Sequence, residues 1–114
     1  MVNVDFGVSI GNNVFIKNMA LVGPNTCVKD NCFIGAKSTI GGASIIGEQT
    51  FIGLNSTIFD NVNIGDKCII GAGSIIKRNM ANYSKSTIST EHTLIKQYQE
   101  DEIENKLLFS KNIR

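Results

Sequence analysis

Two kinds of side chain in this sequence can handle protons near neutral pH. One is the single histidine among the 114 residues, His92. An imidazole titrates close to physiological pH and can serve as a general base. The other is the set of carboxylates. Asp30 and Asp60 can also accept a proton, but a solvated carboxylate titrates near pH 4 and is a weak base at neutrality. Asn12, Asp30, Glu48 and Asp66 recur at a fixed spacing. Such a column is either a solvated acidic edge or a place for a cation or an acceptor. The cysteines are Cys27, Cys32 and Cys68. Their odd number does not close a disulfide framework, and their spacing fits no zinc motif, so no metal site is expected.

These residues are positioned by a repeat. Aliphatic side chains recur every sixth residue: Val4, Ile10, Ile16, Val22, Val28, Ile34, Ile40, Ile46, Ile52, Ile58, Ile64, Ile70 and Ile76. Four residues after each comes a small one, such as Ala20, Thr26, Cys32, Ser38, Ser44 or Ser74. Gly commonly follows the aliphatic directly, as at Gly11, Gly23, Gly35, Gly41, Gly47, Gly53, Gly65 and Gly71. A period of six is not helical, and so many glycines would weaken a helix. The pattern predicts an all-β fold, a left-handed parallel β-helix in which each hexad is a short strand plus a corner and three hexads close one coil. The aliphatic and small residues point inward. The glycines, with Asn13, Asn31, Asn55 and Asn61, suit corners that need tight or left-handed backbone. Coils stack about 4.8 Å apart, so residues eighteen apart share a column. Cys32 and Cys68 then lie two coils apart, too far for a disulfide, and read as small core residues. Cys27 points outward.

The residue before each aliphatic faces out. One face carries Phe15, Phe33, Phe51 and Ile69; a second carries Leu21, Thr39, Thr57 and Ile75; the third carries Ser9, Cys27, Ile45 and Asn63. An aromatic stripe of this size calls for a cover. Either the C-terminal segment lies over it, or three prisms pack side by side in a homotrimer. The hexads end near Met80, which divides the chain into a β-helix over 1–80 and a C-terminal segment over 81–114. Within that segment 81–92 reads as a loop or a short extended piece. Residues from about Thr93 to Leu108 read as a short α-helix, capped by Thr90, with Ile95, Tyr98, Ile103 and Leu107 near one face. This helix is expected to cap the prism or dock on a neighbour, with His92 at its start.

Lys plus Arg is 11 and Asp plus Glu is 10. Near-neutral charge gives no reason to expect nucleic acid or an anionic membrane as partner. The N-terminus lacks the pattern of a signal peptide, and no apolar run reaches the length of a membrane span. A cytoplasmic setting is the expectation.

The hexads Ile34-Gly35-Ala36-Lys37-Ser38-Thr39 and Ile70-Gly71-Ala72-Gly73-Ser74-Ile75 resemble those of the hexapeptide-repeat acyltransferases. From Ala20 to Ile76 the chain most resembles the sialic acid O-acetyltransferase and bacillosamine N-acetyltransferase group. Those relatives carry an N-terminal nucleotide-sugar-binding α/β domain that is not among these 114 residues. The resemblance implies a trimer with sites between adjacent prisms, and acetyl-CoA lying along the prism as co-substrate. It implies that Gly42, Ala72 and Gly73 flank the cofactor, where small residues let the pantetheine arm approach the backbone. The family base is a histidine whose position is held here by Pro24, and a second family histidine matches Phe33. That leaves His92 to supply the base if the tail folds into the cleft.

The expected function is CoA-dependent acetyl transfer to a hydroxyl or amine of a sugar or nucleotide-sugar. The alternative is a non-catalytic trimeric β-helix, a scaffold or a partner of a full-length enzyme. A zinc hydratase of the same fold needs three histidines at one metal, and each chain has one.

Overall fold

The computed structural model describes residues 1–88 and 93–98. The hexads form two-residue strands, each consisting of the outward residue and the aliphatic after it. They are β1 (Asn3–Val4), β2 (Ser9–Ile10), β3 (Phe15–Ile16), β4 (Leu21–Val22), β5 (Cys27–Val28), β6 (Phe33–Ile34) and β7 (Thr39–Ile40). They continue as β8 (Ile45–Ile46), β9 (Phe51–Ile52), β10 (Thr57–Ile58), β11 (Asn63–Ile64), β12 (Ile69–Ile70) and β13 (Ile75–Ile76). Two longer strands follow, β14 (Ser84–Ile88) and β15 (Thr93–Gln97). Every third strand stacks in parallel, giving three faces of a left-handed β-helix. Face A runs β1-β4-β7-β10-β13, face B runs β2-β5-β8-β11, and face C runs β3-β6-β9-β12-β14-β15. The register pairs Phe15 with Phe33, Phe33 with Phe51, and Phe51 with Ile69, so residues eighteen apart lie over one another as expected.

Val22, Ile34, Ile40, Ile46, Ile52, Ile70 and Ile76 fill the prism with no exposed surface. Each fully buried aliphatic contributes roughly 1.5–3 kcal/mol relative to leaving it in water. The small residues near the corners do more than save space. Ser38 Oγ donates to Gly53 O at 3.0 Å, Thr50 Oγ1 to Gly65 O at 2.9 Å, and Cys32 Sγ to Gly47 O at 2.9 Å. Each satisfies a carbonyl of the next coil, and among the described residues no buried side-chain polar atom lacks a partner.

The corners differ from expectation in one respect. The left-handed residue is the third after the aliphatic: Asn13, Met19, Asn25, Asn31, Lys37, Ala43, Gln49, Asn55, Asn61 and Lys67 all have φ between 54° and 64°. The glycines directly after the aliphatic serve coil-to-coil contact instead. A Cβ on Gly53 would stand 2.6 Å from Ala72 N, and one on Gly35 2.5 Å from Leu54 N.

The tail also differs. Winding continues past Met80, with the corner after Ile76 two residues short. Met80 therefore bridges Ile64, and Lys85 and Ser86 pair with Ile69 and Ile70, at sixteen-residue spacing. Residues 84–88, expected in a loop or short extended piece, take the extended form as β14. The helix expected from Thr93 does not begin there: Thr93–Gln97 is β15, antiparallel to β14. The open edge of face C offers a full row of backbone partners, whereas an isolated short helix is marginal in water. The rest of the expected helix, its cap Thr90 and the candidate base His92 lie outside the described residues.

Face C is covered in part from within. Ile69 is buried against Phe33, Phe51 and Tyr98, and the rings of Phe33 and Phe51 stack at 4.8 Å. The Tyr98 hydroxyl donates to Lys67 O.

Candidate functional site

The three corners of each coil are built alike but finished differently. At the corner between faces B and C, the second residue after each aliphatic is Asn12, Asp30, Glu48 or Asp66, the acidic column. Asp30 and Asp66 in this column each give one oxygen to a backbone amide. Asn12 N donates to Asp30 Oδ1 at 2.8 Å, Glu48 N to Asp66 Oδ1 at 2.8 Å, and Asp66 N to Asn82 Oδ1 at 2.8 Å. An Asx side chain thus caps the corner amide of the coil before it, and no acceptor or cation site is needed to explain the column. Among the described residues no three His, Cys, Asp or Glu side chains gather as a ligand set.

The corner between faces A and B carries Phe6, Pro24, Gly42, Asp60 and Arg78 at the same position. Gly42 N donates to Asp60 Oδ1 at 3.0 Å. Pro24 has no N–H, so the absence of a cap in Gly42 leaves nothing unpaired.

At the corner between faces C and A the column reads Asn18, Ala36, Leu54, Ala72. None of the last three can cap, and the N–H groups of Asn18, Ala36 and Leu54 have no acceptor among the described residues. Where the other corners hold an Asx oxygen at Asn12 N, Glu48 N, Asp66 N and Gly42 N, though none at Asp30 N or Asp60 N, Ala36 and Ala72 leave space. Gly73 follows with φ 74°. The result is a row of free donors about 4.8 Å apart along an edge whose side chains are small at Ala36 and Ala72 and large at the exposed Leu54 between them. Such a row can hold an extended ligand bearing carbonyl oxygens, since backbone donors beside small residues allow close approach.

The residues expected at the cofactor therefore divide. Ala72 and Gly73 lie together at the corner between faces C and A. Gly42 lies across face A, at the corner between A and B, with its amide already engaged. Thr93, next in the chain after His92, is held at the start of β13, where Ile75 N donates to Thr93 Oγ1 at 3.0 Å. Asn18, Ala36 and Leu54 escaped the sequence reading. Their signal was present: one of the three corner columns lacks Asp and Asn after its first coil.

The chain's only histidine, His92, lies outside the described residues. Asp30 and Asp60 each commit one carboxylate oxygen to an amide. Among the described residues no helix is long and apolar enough to cross a membrane.

Comparison with known proteins agrees with this architecture. A search of curated proteins finds no match in sequence. Among solved structures, a hexapeptide transferase family protein from Anaplasma phagocytophilum is similar with a TM-score of 0.68 at 16% identity, over 99% of this chain and 78% of that one. A hexapeptide-repeat-containing acetyltransferase from Vibrio cholerae O1 biovar eltor, complexed with acetyl coenzyme A, gives a TM-score of 0.71 at 16% identity over 82% and 62%. A mutant perosamine N-acetyltransferase from Caulobacter crescentus, in complex with CoA and GDP-perosamine, gives 0.61 at 22% identity over 85% and 54%. The chain thus spans little more than half the length of the last. At these identities the likeness is one of fold. Residues 7–42 match the family described as bacterial transferase hexapeptide (six repeats), and residues 44–78 match the hexapeptide repeat of succinyl-transferase. With hexads matched in near-continuous succession and wound into the expected prism, the chain belongs to the hexapeptide-repeat transferase family.

Proposed function

We propose that the protein transfers an acyl group from acyl-CoA, with acetyl-CoA as the first donor to consider, to a hydroxyl or amine of a sugar or nucleotide-sugar. It acts as a homotrimer in which adjacent prisms bring their corners together, in a cytoplasmic setting. The observation that carries this is the row of uncapped amides at the corner between faces C and A. The pantetheine arm of CoA is extended and carries amide carbonyls, which match donors spaced along an edge. Ala36, Ala72 and Gly73 leave room for the arm on either side of the exposed Leu54, and the Vibrio neighbour was solved with acetyl coenzyme A.

Transfer is direct. The acceptor oxygen or nitrogen bonds to the thioester carbonyl carbon, the C–S bond breaks, and CoA leaves as the thiol. A backbone N–H at the corner polarises the carbonyl. His92 takes the acceptor proton and returns it to the departing sulfur. Its chain neighbour Thr93 being pinned at Ile75 supports this role.

The test is thiol release from acetyl-CoA in the presence of sugars and nucleotide-sugars, measured for the full chain and for His92→Ala. Acceptor-dependent release that falls by roughly 100-fold or more in the variant is expected. No release with any acceptor, together with no binding of acetyl-CoA, would overturn the proposal. Pro24 at the position of the usual histidine favours a second reading, a non-catalytic trimer that keeps the cofactor groove. Acetyl-CoA bound without turnover is its signature.

A further inference from the structure

At the first coil all three sheet edges are open among the described residues. Asn3 N and Asp5 N donate to Ala20 O and Val22 O, Ser9 N and Gly11 N to Thr26 O and Val28 O, and Phe15 N and Lys17 N to Cys32 O and Ile34 O. In a parallel ladder the residues between these turn their N–H and C=O groups the other way. Val2, Val4, Val8, Ile10, Val14 and Ile16 therefore aim their donors and acceptors out of the end of the prism. Proteins commonly guard such an edge with lysine, proline or a bulge. Here the edge residues are all Val and Ile, and the first nineteen residues carry only two charged side chains, Asp5 and Lys17, both exposed. One Asp5 carboxylate oxygen accepts from Phe6 N, and the group keeps its charge at the corner between faces A and B. Lys17 stands at the corner between faces C and A.

We propose that this end pairs with the same end of a second copy, about a two-fold axis through the middle of face A. The axis lays β1 antiparallel to β1 of the second copy. Val2 then faces Val4 of the second copy and exchanges N–H and C=O bonds with it, Val4 does the same with Val2, and Asn3 meets its own counterpart. The axis also swaps the two corners that flank face A. Asp5 of each copy comes to Lys17 of the other, an isologous contact made twice. Phe6, 73% exposed, comes to Met1 and Met19, 92% and 63% exposed, whose thioethers suit a ring edge.

Charge selects this axis. A two-fold through face B would set Lys17 against its own counterpart, and one through face C would do so with Asp5. Stacking onto the opposite end of another molecule is blocked. There Ile75 N of face A is engaged by Thr93 Oγ1, and face C ends in β15, which carries Lys96. The pairing does not rest on the acyl-transfer proposal. Where three prisms stand side by side, it joins one such assembly to another.

The experiment is sedimentation velocity of the full chain at low ionic strength over a range of concentrations. A species of twice the mass of the smallest one, growing with concentration, is expected. Asp5→Lys and Lys17→Asp should each raise the dissociation constant of this step about tenfold or more, by setting like charges together. An equimolar mixture of the two variants should recover it, because each copy then meets the opposite charge. Asn3→Cys should give a disulfide-linked dimer on mild oxidation that the unsubstituted chain, with its outward Cys27, does not give. In dilute solution the first coil is the end that opens first, so pairing at high concentration should slow exchange at Asn3 N and Asp5 N. Mass that never doubles overturns the proposal. So does doubling that survives both charge reversals, or doubling in which Asn3→Cys forms no cross-link.

Discussion

A thiol at the inward corner position does the work of a hydroxyl. Cys32 donates to Gly47 O as Ser38 donates to Gly53 O. Burial pushes the Cys32 thiol up to about 12, and burial raises Cys68 as well. Both groups hold their proton in the fold at pH values where the unfolded chain has lost it. The stability they contribute is present below about pH 9 and is lost as pH rises toward 12. Unfolding by urea should therefore need less denaturant at about pH 10.5 than at pH 8, by roughly 1–2 kcal/mol. Cys32→Ser should shrink that difference while keeping the carbonyl satisfied. A pH response unchanged by the substitution would place its origin elsewhere. A second residue-scale prediction concerns Lys37, which holds φ 61° on an exposed corner without the side chain suited to it. Asn tolerates that conformation better. Lys37→Asn should stabilise by about 0.5–1 kcal/mol, read as a higher melting temperature.

At the scale of the strand and corner, hexad spacing was enough to place β1 through β13, because inward aliphatics at period six permit one register. The function of each glycine was not legible. Spacing shows that small size is wanted after the aliphatic, but not whether the cause is φ or contact with the next coil. The structure separates the two, and the difference can be measured. Gly53→Ala would drive a Cβ to 2.6 Å from the Ala72 backbone, with no side chain able to yield. Gly42→Ala would meet Pro24 O at 3.1 Å and needs only a small shift. The first substitution should cost about 1–3 kcal/mol and the second less than about 1, by chemical denaturation. Equal costs would mean the coil spacing is softer than the contacts indicate. The β14–β15 hairpin was hidden for another reason. Losing two residues at the corner after Ile76 shifts the columns from eighteen to sixteen, so Met80, Asn82 and Ser86 fall outside a search for sixes. The apolar spacing of Ile95 and Tyr98 then fits a helix as well as a strand, and only the free edge of face C decides between them. The uncapped corner was legible as a missing Asp column, but its meaning needed the hydrogen bonds at the other two corners.

Across the whole molecule, each coil touches only its neighbours, so stability is a sum of local terms and the ends set where opening begins. The two ends are unlike. In the first coil Val4 is 42% and Ile10 40% exposed, and among the described residues no strand lies beyond β1, β2 or β3. In the last coil Met80 is buried across the centre, and β14 and β15 extend face C with Tyr98 held to Lys67 O. Native-state hydrogen exchange should therefore show a gradient. The amides of Asn3, Asp5 and Ser9, bonded to the second coil, should exchange well before those of Gly41 and Gly47 in the middle coils. Tyr98→Ala should speed exchange at Gly71, whose N–H donates to Ser86 O, and leave Gly47, whose N–H donates to Ile64 O, unchanged. Uniform protection from end to end would show that the prism opens as one unit. It would follow that a contact absent from the single chain, such as the packing of three prisms, governs its stability.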